Sequence, residues 1–201
     1  MKRRDALKGL GLTLGYTIAA PSIMSLLQSC KTEVTLWVPK FLSVDEGIII
    51  KKLIDIILPA TETTPGALDV NVPEFIDLLA YKMYDDEEQL KFKKGIDAIT
   101  KALNIPEEGT SELEHKEYDA LLAKYLKASK EQRIIYENES DENNVDAIIF
   151  NALSELRNNA VWAYKTSEQI GENVLAYDPI PGAQIGCISL EKSTNSKAWS
   201  L

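Results

Sequence analysis

The sequence contains few of the side chains that usually perform catalysis or bind metal ions. Among its 201 residues there are one histidine and two cysteines. His115 stands between Glu114 and Lys116, whereas zinc and haem sites draw on several histidines or cysteines at set spacings. A catalytic triad would have to use this same histidine, and neither Cys187 nor any serine lies in a nucleophile motif. We therefore expect His115 to be an exposed residue in the first turn of a helix.

The sequence also lacks the motifs that hold nucleotides. No G-x-G-x-x-G follows a strand pattern, and there is no Walker A motif. With 22 basic and 31 acidic residues the net charge is -9, which repels nucleic-acid backbones. The acidic run Asp85–Glu88 lacks the ligand spacing and glycine of an EF-hand loop, so we interpret it as a helix start. The sequence thus predicts no catalytic residue, no cofactor-binding residue and no metal ligand in this chain.

The first 29 residues have the pattern of an export signal. A basic start is followed by residues 9–29, which contain no charged side chain. The pair Arg3 and Arg4 resembles a twin-arginine signal, which exports folded proteins. The match is partial, because Lys2 precedes the pair where Ser or Thr is usual and Ala6 stands where Phe is common. The general secretory route is the alternative.

The signal ends in Leu27-Gln28-Ser29-Cys30, which resembles a bacterial lipobox and predicts lipidation of Cys30. The alternative is that residues 9–29 remain as an uncleaved anchor, since about 20 residues span a bilayer. Either way we expect a membrane-anchored periplasmic or cell-envelope protein. Its organisation would be a signal peptide over residues 1–29, a tether over 30–42 and one helical domain over 43–201. Cys187 is then a lone thiol, which we expect to be buried.

The rest of the chain predicts an all-α protein, because apolar residues recur at helical spacing and no segment alternates with the period of a strand. Capping boxes are predicted at Ser43, Ser111 and Ser129. Predicted helices cover residues 44–58, 73–84, 88–103, 111–128, 130–138 and 144–166. Residues expected on buried faces include Ile50, Leu53, Ile54, Phe75, Ile76, Leu79, Met83, Leu90, Ile96, Ile99, Val145, Ile149, Leu153, Leu156 and Ala160. The architecture is an irregular helical bundle with a long N-terminal loop and an extended C-terminal arm.

Two segments without periodicity are candidates for contact with a partner protein. Residues 59–72 form a long loop, and the chain from Ser167 onward is rich in Gly and Pro. Loops longer than about 12 residues usually bind something or wrap a partner. The contact candidates are Pro65, Gly66, Ala67, Tyr177, Pro181 and Gly182. The side chains of Trp37, Trp162, Trp199, Tyr177 and Ile180 would suit an interface, or would instead close the core of this domain.

Several blocks of residues resemble a known family. The blocks Phe41–Ser43, Leu53–Thr61, Thr64–Ala67 and Val72–Asp77 are similar to the opening of the gluconate 2-dehydrogenase subunit 3 family. The segment from Tyr177 to Cys187 resembles that family's ending.

The resemblance implies a small accessory subunit without a cofactor of its own. Its partner would be a large FAD-containing subunit of the glucose–methanol–choline type, which oxidises a sugar, sugar acid or polyol. A c-type cytochrome, carrying haem c, often accepts the electrons. The small subunit would carry the export signal for its folded, flavin-loaded partner. The competing interpretations are a stand-alone helical envelope lipoprotein with a binding or structural role, and a self-contained enzyme.

We predict that Cys30→Ser releases the protein from membranes, because the lipid that anchors it is attached through the Cys30 sulfur. The measurement is an immunoblot of membrane and soluble fractions, with Cys187→Ser as the matched control that stays in the membrane fraction. Retention of the Cys30→Ser variant in membranes would favour an uncleaved anchor.

Overall fold

The computed structural model describes residues 37–105, 113–138, 144–178, 180, 182 and 186–200. The chain divides into two units, Met1–Trp37 and Val38–Leu201, and the described helices belong to the second. The predictions for Arg3, Arg4, Cys30 and Pro181 lie outside the described residues.

The described residues form eight helices: α1 (Val44–Ile57), α2 (Val72–Lys82), α3 (Asp86–Ala102), α4 (His115–Leu126), α5 (Lys130–Asn138), α6 (Val145–Thr166), α7 (Glu168–Asn173) and α8 (Leu190–Thr194). Extended pairing within these ranges is confined to one parallel bridge between Ala176 and Trp199. The prediction of an all-α fold is therefore confirmed. Of the described helices, none is both long enough and apolar enough to cross a membrane.

Helix α6 is the central element of the bundle. It contacts every helix from α1 to α5 and also α7. Its start is capped by Asn144, whose side-chain oxygen accepts the N–H of Ala147 at 3.1 Å. The predicted apolar stripe is confirmed, since its buried residues are Ala147, Ile149, Phe150, Leu153, Leu156, Ala160 and Ala163. Val145 is an exception: it is exposed because it occupies the first helical position, before the buried stripe begins.

Helix α1 begins at the predicted capping box. The N–H of Glu46 donates to Ser43 Oγ at 3.3 Å, and the N–H of Ser43 donates to Glu46 Oε2 at 2.7 Å. The helix ends at Ile57, two residues before Pro59, which disfavours helical geometry in the residue that precedes it. The inward face carries Ile49, Ile50, Leu53 and Ile54, so the prediction for this helix is confirmed.

Helices α2 and α3 each correct part of the predicted core. The buried face of α2 runs through Val72, Ile76 and Ala80. Phe75 points away from it, since neighbouring residues differ by about 100° around a helix, and Met83 lies beyond the last helical residue. Both are exposed, contrary to prediction.

Helix α3 starts at Asp86, and Asp85 with Glu88 forms a capping box at its N-terminus. The acidic run is thus the predicted helix start. Leu90, which was predicted to be buried, is 71% exposed because the inward face of α3 is set by Phe92, Ile96 and Ile99.

The chain around α4 and α5 differs from prediction only at the start of α4. This helix begins at His115, where Glu117 accepts the N–H of Glu114 at 2.8 Å. The helix thus begins later than predicted, and the predicted cap Ser111 lies outside the described residues. At α5 the predicted cap is present, because the N–H of Gln132 donates to Ser129 Oγ at 3.3 Å.

The C-terminal arm is less extended than predicted. It contains α7 and α8, and the Ala176 N–H donates to Ala198 O at 2.8 Å while the Ser200 N–H donates to Ala176 O at 2.9 Å. These two bonds fold the end of the arm back on its beginning. Helix α7 packs against α6, and its Ile170 is buried, whereas α8 has no extensive contact with the other described helices.

We predict that Gly95→Ala destabilises the protein although alanine is the better helix former by about 1 kcal/mol. A Cβ at Gly95 would lie 2.7 Å from the Cβ of Ala152, where α3 crosses α6. Overpacking of this kind costs about 1–3 kcal/mol. Urea unfolding measures the change in the free energy of unfolding.

The matched control is the double variant Gly95→Ala with Ala152→Gly, which restores the space. We expect it to be at least about 1 kcal/mol more stable than the sum of the two single changes predicts. Strict additivity of the two changes would contradict this packing.

Candidate partner-binding surfaces

A buried carboxylate fastens the segment before α1 to α2. The side chain of Asp77 is 1% exposed and accepts the backbone N–H groups of Lys40 at 2.6 Å, Phe41 at 3.0 Å and Leu42 at 2.9 Å. Three donors compensate for the water that the buried carboxylate has lost. We call this arrangement the Asp77 clamp. It fixes the point at which the chain enters the helical domain.

The loop between α1 and α2 is folded tightly onto its own helices. A Cβ at Gly66 would lie 2.5 Å from the backbone nitrogen of Ala60, so only glycine permits this approach. The Gly66 N–H donates to Asp69 Oδ2 at 2.8 Å. On the other side of the loop, the Tyr164 hydroxyl of α6 donates to Pro65 O at 2.6 Å. The loop is therefore part of the structure of the domain.

This geometry bears on three of the predicted contact residues. Gly66 and Ala67 are buried within the domain, and Pro65 is half-buried. The longest exposed run of the loop is residues 59–63, and its tip is held by the Thr64 N–H that donates to Thr61 Oγ1 at 3.0 Å. Contact of this loop with a partner remains a prediction, and the tip is the part placed to make it.

The C-terminal arm presents large apolar side chains to solvent. Ile180 is 82% exposed, and Tyr177, Ile188, Leu190 and Trp199 are also exposed. The predicted contact residue Gly182 is exposed as well, with no described atom within 4 Å of where a Cβ would lie. Helices α7 and α8 with the residues between them border a cavity of about 450 Å³, lined partly by Tyr177 and Trp199.

Cys187 lies on the same arm and corrects a prediction. It is exposed and not buried, because it lies in a turn of the arm, with a φ of 56°, and not on the inward face of a helix.

The charged and polar groups between the helices are mostly paired with one another. Lys93 of α3 pairs with Glu46 of α1. Burial raises the pKa of Glu46, but hydrogen bonds from Lys93 and Ser43 outweigh it and leave the pKa below its ordinary value. Such pairs join helices.

A second polar cluster joins α4 to α6. The Tyr125 hydroxyl donates to Asp146 Oδ1 at 2.6 Å, and Lys124 Nζ donates to the same oxygen at 3.0 Å. The hydrogen bonds from Tyr125 and Lys124 lower the pKa of Asp146, while burial raises the pKa of Tyr125. His115 is exposed at the first position of α4, as predicted. Within the described ranges, no three His, Cys, Asp or Glu side chains are grouped as a metal site.

A model of a known protein family matches a large part of this helical domain. The family model described as Gluconate 2-dehydrogenase subunit 3 matches residues 45–182, more than half of the chain. The chain belongs to the gluconate 2-dehydrogenase subunit 3 family. As its name states, members of this family are one subunit of a dehydrogenase complex, and this chain is an accessory subunit of such a complex. No curated protein and no solved structure matches the chain.

The structure explains what most of the family-like residues do in this gluconate 2-dehydrogenase subunit 3 protein. Asp77 holds the backbone at Phe41 and Leu42, and Gly66 permits the close approach to Ala60. The blocks quoted from opposite ends of the first loop are thus parts of one folded unit. Their role is to build the domain.

Sequence reasoning missed the Asp77 clamp and the bond from Tyr164 to Pro65. The one available signal was an acid beside Ile76 in an otherwise apolar stretch of α2. Its three donors are backbone groups, which leave no mark in the sequence, and Tyr164 is 99 residues from its partner Pro65.

We predict that Asp77→Asn lowers the free energy of unfolding by about 2 kcal/mol. The amide is neutral and has one acceptor oxygen in place of two, so all three clamp N–H groups lose a charged partner and at least one loses its acceptor; hydrogen bonds to charged groups are worth about 1.5–3 kcal/mol. Urea unfolding followed by circular dichroism measures the loss. Asp97→Asn, on the exposed surface of α3, is the matched control and should change stability by less than about 0.5 kcal/mol. Equal losses in the two variants would show that the clamp is not a stabilising feature.

Proposed function

We propose that this chain is the small, non-catalytic subunit of an exported FAD-dependent dehydrogenase of the glucose–methanol–choline type. The large subunit carries the flavin and oxidises a sugar, sugar acid or polyol, and a c-type cytochrome accepts the electrons. The observation that carries the proposal is the family match over residues 45–182. The small subunit aids the export, folding or stability of its partner.

The C-terminal arm supports a role in binding a partner. Its exposed Tyr177, Ile180, Leu190 and Trp199 belong to the residue types that fill the centres of protein interfaces. Covering apolar surface contributes about 25 cal/mol per Å². Helix α8 has no extensive contact with the other described helices, and these exposed side chains can therefore pack against another chain.

The export of a flavoprotein would require a signal for the route that carries folded proteins. FAD is bound in the cytoplasm, so a flavin-loaded enzyme has to cross the membrane folded, and the twin-arginine route carries folded proteins. On this proposal Arg3 and Arg4 direct the complex to that route. Lipidation at Cys30 then holds the complex at the membrane in the cell envelope, where it meets its electron acceptor.

We predict that the double variant Arg3→Lys with Arg4→Lys retains both this chain and its flavoprotein partner in the cytoplasm. The twin-arginine machinery requires the arginine pair, and the partner has no other route on this proposal. Cell fractionation with an immunoblot of this chain and a dye-reduction assay of the dehydrogenase measures the distribution.

Lys8→Arg is the matched control, since it keeps both the charge and the arginine pair. Export should be normal in that variant. If the double variant stays in the cytoplasm while the partner is exported normally, the partner does not depend on this chain to cross the membrane.

A further inference from the structure

Helix α2 has an apolar face that the bundle leaves uncovered. Phe75, Leu78 and Tyr81 follow one another at a spacing of three residues, which makes them neighbours on the helix surface, and all three are exposed. The exposed Trp162 of α6 extends this surface, with its ring centroid 5.4 Å from that of Phe75. We call these four residues the α2 face. Contiguous exposed aromatic side chains of this kind mark binding surfaces.

An unpaired carboxylate oxygen lies beside this face. Glu74 is one helical turn before Leu78 and two before Tyr81, so it shares their side of α2. Its Oε2 atom is buried and has no hydrogen-bond partner among the described residues. A buried carboxylate oxygen without a donor costs free energy. Glu74 as a residue is only partly buried, so a cation or an N–H group of another molecule that approaches its side chain would supply the carboxylate with a charge partner.

The family-like block Val72–Asp77 contains two kinds of residue: those that build the fold and those that do not. Val72 and Ile76 are buried in the core, and Asp77 forms the clamp. Glu74 and Phe75 lie in the same block, yet the fold gives Glu74 Oε2 no donor and leaves Phe75 exposed. Since the rest of the block serves the domain, these two point to a contact made in the assembled complex.

The charges beside the α2 face favour an oriented protein partner. Glu74 lies at its N-terminal end, and Lys82 lies at its C-terminal end with Nζ 4.8 Å from the centroid of the Tyr81 ring. A lipid surface would bury the Glu74 carboxylate without a donor, and anionic headgroups would repel it. A protein can offer a cation at Glu74 and an apolar recess for the rings.

We propose that the α2 face docks onto the flavin-bearing large subunit, with an Arg or Lys side chain of that subunit paired to Glu74. This inference rests on the proposed function, since it supplies the contact through which the accessory subunit holds its partner. It adds a second surface to the C-terminal arm.

The test compares the amount of flavoprotein that copurifies with tagged full-length variants from the native envelope. A copurified chain counts only if it has the absorption spectrum of oxidised flavin and loses it on addition of a sugar, a sugar acid or a polyol. We expect Leu78→Asp to reduce recovery at least tenfold, roughly the scale of an interface hot spot, and Glu74→Gln to reduce it by a smaller factor. Leu90→Asp, an exposed leucine on α3 away from this face, is the matched control and should recover wild-type amounts. Unchanged circular dichroism and thermal midpoint establish that the variants are folded.

The outcomes separate this inference from the proposed function. If the wild-type chain recovers no flavoprotein, the proposed function fails and the docking contact fails with it. If the wild-type chain recovers the flavoprotein, and the Leu78→Asp and Leu90→Asp variants recover equal amounts of it, the α2 face is not the contact. The proposed function then still stands. If light scattering shows a dimer of the wild-type chain that Leu78→Asp abolishes while flavoprotein recovery is unaffected, the face binds a second copy and the inference is overturned.

Discussion

Burial of the apolar stripe of α6 is the interaction on which the other elements depend. Helices α1 to α5 and α7 all contact α6, and its inward positions are occupied by Ile149, Leu153, Leu156 and Ala160. The contact with α3 is the most extensive, and it is close because Gly95 faces Ala152. A single helix that serves as common support makes the bundle one cooperative unit.

The polar interactions fix elements that the apolar core does not hold. The Asp77 clamp fastens the segment before α1, and Tyr164 holds the first loop at Pro65. Both use side chains of α2 or α6 to bind backbone groups. Side chains of the helices thus hold the loops in place, and most of the family-like residues described above take part in this packing and hydrogen bonding. The exposed apolar residues of α2 and of the C-terminal arm are among those that the fold itself leaves uncovered.

Local patterns were sufficient for most of the helices, because apolar period and capping chemistry act over a few residues. The stripe of α6 and the Ser43 capping box are examples. The side that a helix buries is harder to predict, because it is decided by helices distant in sequence. Leu90 and Phe75 lie on the edges of apolar patterns, and the positions of the neighbouring helices leave them exposed.

The candidate partner-binding surfaces were predictable only in part. Exposed Tyr177 and Gly182 lie on the arm where the sequence indicated a contact segment. Gly66 and Ala67 are buried because the loop backbone lies close to Ala60. The composition of the loop does not indicate this close approach. The unpaired oxygen of Glu74 depends on atoms that surround it in three dimensions, so the sequence alone gave no signal for it.

Native mass spectrometry of the complex, solubilised from the cell envelope through a tag on this chain, tests the central claim most directly. The account predicts a heterocomplex in which this chain is joined to a larger one, with FAD released when the complex is denatured. Recovery of this chain alone or only with copies of itself, with no flavin, would contradict the account and favour a stand-alone envelope lipoprotein.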